Sequence, residues 1–141
     1  MFKSQITFLY FKDFSEAIPF FETTLNLELV ADQGFARIYR LSDGAFVGIV
    51  DEAKGHCNAP TERNVLITLV TDDVHAWYRR LKDGGVAIEA PPAVQARANV
   101  ECFFFQGPGG YAFEIQKFLN PKIAAHFMGE PSTRSCGRRP A

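Results

Sequence analysis

His56 and Cys57 stand side by side, and an imidazole next to a thiol is the pairing that would activate a thiolate nucleophile. Adjacent loop residues seldom face each other, however, and no oxyanion-stabilising or orienting group can be named beside them. The pair therefore reads as linker. A metal centre would need ligands at recurrent spacing. His56, His75 and His126 with Cys57, Cys102 and Cys136 form neither a C-x-x-C nor an H-x-x-x-H arrangement, so no compact metal site is expected from them. His75 falls on an expected helix, facing outward. Cys102, between Glu101 and three phenylalanines, reads as a buried small hydrophobe. An odd, sparse set of cysteines points to free thiols in a reducing compartment.

Arg37, Tyr39 and Phe46 are a second constellation, and their place depends on a hairpin. Residues Phe35–Leu41 and Ala45–Val50 are β-rich runs flanking Ser42-Asp43-Gly44, and Asp-Gly between such runs is a strong hairpin signal. With a two-residue turn, Ser42 pairs with Ala45, Leu41 with Phe46, Tyr39 with Gly48 and Arg37 with Val50. Paired residues share a face, and faces alternate along a strand. Ile38, Val47 and Ile49 then form an apolar face for a helix. Arg37, Tyr39, Leu41, Phe46, Gly48 and Val50 form a mixed, aromatic face suited to a concave pocket.

The elements that would carry these residues occur twice. Residues 5–12 read as a strand, Asp13 opens a helix through Ala17, Ile18, Phe20, Phe21 and Leu25, and Leu27–Ala31 is a second strand. Pro19 is compatible with that helix only within about its first turn. Residues 51–63 are polar and read as a linker. The order then restarts: strand Asn64–Thr71, a helix from Asp72-Asp73 to Gly84-Gly85 with Trp77 and Tyr78 in its core, and strands Val86–Glu89, Val100–Phe105 and Tyr111–Phe118. The expectation is α+β: two βαβββ modules, 5–50 and 64–118, in one domain over 1–119, with curved mixed sheets around a cup-shaped pocket. A tail of 120–141 follows, with a helical turn at Lys122–Met128.

Composition narrows the classes. A hydrophobic share of 47 % with fourteen Phe supports a packed core, and a formal net charge of −1 offers nucleic acid or an anionic membrane no electrostatic footing. No apolar run approaches the roughly 20 residues needed to span a bilayer. The N-terminus leads straight into a strand with no signal-peptide cleavage site, so the cytoplasm is the expected compartment.

The chain resembles the vicinal-oxygen-chelate superfamily of glyoxalase I, extradiol dioxygenases, fosfomycin-resistance enzymes and bleomycin-binding proteins. The resemblance covers roughly residues 5–118. It rests on Phe11-Lys12-Asp13, Ala17, Phe20-Phe21 and Leu25-Asn26-Leu27, and on Val70-Thr71-Asp72-Asp73-Val74, Trp77, Leu81 and Gly85-Val86. Its most specific part is Pro108-Gly109-Gly110-Tyr111 followed by Glu114-Ile115. Asn26 replaces a usual glycine after the first helix, a mild change at a left-handed helix end.

The resemblance implies a metal held by four side chains inside the cup, and it places them at Ile6, Gly48, Leu66 and Glu114. Only Glu114 is a ligand type. Hard divalent ions want several oxygen or nitrogen donors, so no metal and no cofactor are expected. The same positions imply that Ile6, Phe8, Tyr10, Leu66, Thr68, Val70, Ala112, Glu114 and Gln116 line the cup together with Arg37, Tyr39 and Phe46. Within an apolar cup Glu114 would have its pKa raised and could act as a base. If Arg37 or a tyrosine hydroxyl reached it, it would be structural.

The expected function is metal-independent binding of a small aromatic or amphipathic molecule, in the manner of bleomycin-resistance proteins, with Arg37 meeting any anionic group. A glyoxalase-like lyase or isomerase, or a dioxygenase-type enzyme, using Glu114 as base or metal ligand is the alternative. A structural module whose cup is closed by its own phenylalanines is the third. Exposed module edges favour a homodimer.

Overall fold

The computed structural model describes residues 1–62 and 65–129, and it is built from two four-stranded sheets. The first module contains β1 (Gln5–Phe11), α1 (Phe14–Pro19), β2 (Glu28–Asp32), β3 (Ala36–Ser42) and β4 (Ala45–Asp51). The second contains β5 (Leu66–Val70), α2 (Val74–Asp83), β6 (Ala93–Gln95), β7 (Val100–Gln106) and β8 (Ala112–Phe118), and a short α3 (Pro121–Ala124) follows. Strand orders are β1-β4-β3-β2 and β5-β8-β7-β6. In each, the first strand runs parallel to the last and forms an edge, so the α+β repeat has the same topology in both halves. The sheets are not closed onto each other.

Helix starts follow local chemistry. Asp13 accepts from the Ser15 N–H at 3.0 Å and Asp73 from the Ala76 N–H at 2.9 Å, capping α1 and α2. Pro19 lies at the sixth helical position, beyond the first turn expected for it. It lacks the N–H that would bond back along the helix, and the chain continues as a π-helical turn, Phe20–Thr24, with Leu25 N–H donating to Phe20 O at 2.9 Å. Asn26 adopts φ +53°, the left-handed exit that glycine would otherwise supply.

Two other expectations are corrected. Ser42 does pair with Ala45 around Asp43-Gly44, but Leu41 is then bulged out, so Arg40 pairs with Phe46, Tyr39 with Val47 and Arg37 with Ile49. One extra residue turns the rest of β3 over. In the second module Val86–Glu89 is no strand; only Ile88 bridges to Phe105, and β6 forms instead at Ala93–Gln95. Pro91 and Pro92, which have no N–H to give a ladder, separate the two.

The faces that carry the helices share one core. Phe20 packs edge-on against Phe113 at 5.3 Å between ring centroids, and Phe21 stacks on Tyr39 at 5.5 Å, so α1 and its extension join both sheets. Phe11 meets Tyr111 at 5.3 Å, and the Tyr111 hydroxyl donates to the Tyr10 carbonyl at 2.9 Å while accepting from the Tyr10 N–H. Tyr78 packs on Phe103, and Trp77 is half-buried beside it, as read from sequence. Among the described residues no helix is long and apolar enough to cross a membrane. Cys136 and the tail from 130 lie outside the described residues.

Candidate functional site

With the helices on one face of each sheet, the opposite faces are where a ligand could sit, and register decides which residues they carry. On the first sheet β1 and β4 align Ile6 with Phe46, Phe8 with Gly48 and Tyr10 with Val50. On the second, β5, β8 and β7 align Leu66, Ala112 and Gln106, then Thr68, Glu114 and Phe104, then Val70, Gln116 and Cys102. Phe8, Tyr10 and Phe46 thus share one face, and Thr68, Glu114 and Gln116 share another. The chain does not bring these two groups into one cavity. A concavity of about 330 Å³ around Glu114 is lined by second-module residues, among them Gln95, Arg97, Phe104 and Gln116.

Arg37 and Tyr39 lie elsewhere, and the bulge at Leu41 is the reason. Both project to the helix face, where the Tyr39 hydroxyl donates to Glu22 Oε1 at 3.0 Å and Arg37 Nη1 donates to the same oxygen at 2.5 Å. Tyr39 is fully buried, and burial with the Glu22 carboxylate pushes its hydroxyl well above the ordinary tyrosine range. Arg37 also approaches Asp32 at 3.4 Å, and its hydrogen bond to Glu22 holds its proton more firmly. These residues brace α1 against β3. Arg40 takes the place on the pocket face, paired with Glu28 at 2.8 Å and lying over the Phe46 ring at 5.1 Å.

Glu114 is 7 % exposed, the one buried charged side chain among the described residues. The Thr68 hydroxyl donates to its Oε2 at 2.7 Å. Cys102 lies on the same face one position along, and its thiol is pushed up to about 11, first by burial and then by the Glu114 carboxylate. A thiol held protonated in this way is no nucleophile near neutrality. Arg37, tied to Glu22 and Asp32, and Tyr39, tied to Glu22, are both on the helix face of the other sheet, away from Glu114. Sequence reasoning left out Phe104, Cys102, Gln95 and Arg97. The alternation of β7 was visible, but the Gly107–Gly110 turn gave no register for it.

A divalent ion does not fit this donor set. Ile6, Gly48 and Leu66 offer no side-chain donor, leaving one carboxylate. The Phe8 ring lies across Gly48 so closely that a Cβ there would stand 2.3 Å from its Cδ1. Among the described residues no three His, Cys, Asp or Glu side chains could hold a metal together.

The surroundings of the faces are uneven. Gly55 of the linker seats against Tyr10 and Val50, covering one end of the first face, while Cys57 stays exposed. His75 is exposed on α2 at 3.3 Å from Glu101. Ile6 and Phe8 on the open edge β1, Leu66 on the open edge β5 and Phe104 on the inner strand β7 are all exposed by about two-fifths or more. A second cavity, about 310 Å³, opens between the β3–β4 hairpin and β5 and is lined by Leu25, Leu41, Trp77 and Phe127.

Comparison with known proteins agrees with this architecture. Residues 4–115 match the family model Glyoxalase/Bleomycin resistance protein/Dioxygenase superfamily. A glyoxalase/bleomycin resistance protein/dioxygenase from Nocardioides superposes with TM-score 0.71 at 20 % identity, covering 86 % of this chain and 85 % of that one. A lactoylglutathione lyase from Agrobacterium tumefaciens gives TM-score 0.63 at 19 % identity over 80 % and 91 %. A virulence protein from Salmonella typhimurium gives 0.67 at 15 % identity over 84 % and 98 %. At these identities the likeness is one of fold. No curated protein matches the sequence.

Proposed function

The chain belongs to the glyoxalase/bleomycin resistance protein/dioxygenase superfamily, and we propose that it binds a small aromatic or amphipathic molecule without a metal ion. The observation that carries this reading is the donor set: one buried carboxylate, Glu114, on a face that carries Leu66, Phe104, Ala112 and Val70 together with the neutral polar side chains of Thr68 and Gln116. Such a surface, apolar with a few fixed polar groups, suits orientation of one small ligand. Phe8, Tyr10 and Phe46 form the matching aromatic half on the other sheet.

The halves meet, in this proposal, across a homodimer, the first sheet of one protomer facing the second sheet of its partner. Two edge strands bearing exposed Ile6, Phe8 and Leu66, with exposed Phe104 further across the second sheet, are a surface that soluble chains normally cover. Light scattering at micromolar concentration should give the mass of two chains; one chain would remove the closing half of the pocket.

The enzymatic alternative, a lyase, isomerase or dioxygenase with Glu114 as base or ligand, needs a carboxylate free to take a proton or a metal. The Thr68 hydroxyl donating to Glu114, and the lack of further ligands among the described residues, weigh against it. A cup closed by its own phenylalanines is disfavoured by the exposure of Phe8 and Phe104. The test is a thermal-shift screen of aromatic amines, acids and alcohols on chelator-treated protein. A ligand at about 100 times its Kd should add about 2.7 kcal/mol. No shift from any of them at millimolar concentration would refute the binding reading.

A further inference from the structure

We infer that Glu114 receives the positive head of an organic monocation, an arylalkyl or alkyl ammonium, whose apolar body lies along Phe104 and Leu66. The inference rests on the small-molecule reading above and adds the sign of the ligand's charge. It reverses the expectation from sequence, in which Arg37 would have met an anion. Arg37 is on the other face of the other sheet, tied to Glu22 and Asp32.

The charge balance around Glu114 makes the case. Among the described residues the ion pairs belong to Arg37, Arg40 and His75, and none includes Glu114. Its hydrogen-bond partner, the Thr68 hydroxyl, is a neutral donor and orients the carboxylate without cancelling its charge, and the Cys102 thiol on the same face is neutral as well. Glu114 is a buried residue with no counter-ion among the described residues, and a cation that binds beside its carboxylate supplies one. A divalent metal is a poor candidate because the surrounding positions give it no further ligands. An ammonium group asks less: three donors to place, one anion to meet, and an apolar wall for the carbon attached to it.

The neighbours supply that wall. Phe104 stands directly across from Glu114 on β7 and is 42 % exposed, so its ring is open to a ligand next to the carboxylate. Aromatic faces attract ammonium groups as well as apolar chains. Leu66, 48 % exposed, lies two residues along β5 from Thr68 on the same face. Arg97 lines the same concavity and is exposed. That places the buried negative charge inside and an exposed positive charge at the rim, the polarity for an ammonium pointing inward. A zwitterion would present its carboxylate to Arg97; a plain amine would leave Arg97 in water.

The test uses the full chain and three probes of similar size titrated by calorimetry at neutral pH: 2-phenylethylammonium, 2-phenylethanol and 3-phenylpropanoate. The ammonium should bind at least about tenfold more tightly than the alcohol, with the carboxylate weakest. In Glu114→Gln, ammonium and alcohol should become equal within about twofold, with alcohol binding retained. A zwitterion arm, phenylalanine against 2-phenylethylammonium, distinguishes the ligand type: a preference for phenylalanine that disappears in Arg97→Ala assigns Arg97 the anionic end. The wild-type comparison stands even if a variant fails to fold. Alcohol or carboxylate binding as tightly as ammonium overturns the charge assignment and leaves the pocket reading in place. A preference for ammonium that survives Glu114→Gln also overturns it. If none of the probes binds, both readings fall.

Discussion

Glu22 and Glu114 belong to two modules of the same strand–helix–strand–strand–strand plan, yet their surroundings differ in the one respect that matters for ligand binding. Glu22, on the π-helical turn after α1, accepts from both Arg37 and Tyr39 on the helix face and is electrically paired. Glu114, on β8, accepts from Thr68 beside Cys102 on the opposite face and has no cation within ion-pairing distance among the described residues. The first cluster fastens a helix to its sheet. The second leaves a charge to be met from outside. A repeat of fold therefore does not imply a repeat of role, because one residue of register decides which face a polar group serves.

The comparison can be broken at four places. The largest effect belongs to the core that joins the modules. Phe113→Ala removes a ring touching Phe20, Phe21 and Phe105, and should cost about 3–5 kcal/mol in urea unfolding. Both modules should lose stability in one transition; two separated transitions would mean that the core is not shared.

Alkaline titration addresses the Glu114 side. The folded Cys102 pKa, about 11, lies above its ordinary value of 9.0. The thiol's contribution is therefore fully present below about pH 9 and is lost as the pH rises through about 11, an effect on the order of 2 kcal/mol. Cys102→Ala should lose less stability than the parent over that window. Tyr39 titrates higher and is common to both proteins, so the difference isolates Cys102. Equal losses would mean that the buried setting of Cys102, next to Glu114, does not hold its thiol protonated.

Cutting each cluster separately should dissociate stability from binding. Arg37→Ala leaves the partly buried Glu22 unpaired and should cost on the order of 1 kcal/mol, allowing for its partial exposure, while ligand binding is unchanged. Glu114→Gln should do the reverse, altering ligand preference with little change in melting temperature. An Arg37→Ala protein that loses ligand would return that residue to the pocket. The smallest effect is expected from His56→Ala and Cys57→Ala, which change exposed linker positions and should shift stability by less than about 0.5 kcal/mol.

Much of the fold was legible because its signals are local and occur twice. Asp13 and Asp73 open helices after strands, and Asp43-Gly44 does make the two-residue turn. The faces of β1, β5 and β8 followed from the positions of Ile6, Leu66 and Glu114 in the family resemblance and that of β4 from the hairpin, and the observed registers align Ile6 with Phe46 and Thr68 with Glu114. What escaped was non-local or a matter of single residues. The bulge at Leu41 has no marker in a run of alternating residues, and it moved Arg37 and Tyr39 to the other face. β6 lay beyond Pro91-Pro92, where only its pairing with β7 makes it a strand. The β7 neighbours of Glu114, Phe104 and Cys102, depend on how β7 aligns across the turn from Gly107, which no local pattern determines.

The claim that a lone carboxylate has replaced a metal centre is tested most directly by the metal content of untagged protein, measured by elemental mass spectrometry after incubation with zinc, nickel, manganese, iron(II) and cobalt and desalting. The account predicts far less than one ion per chain for every metal, with no change in Glu114→Gln. Near-stoichiometric uptake of any of them, lost in Glu114→Gln, would contradict it and restore Glu114 as a metal ligand.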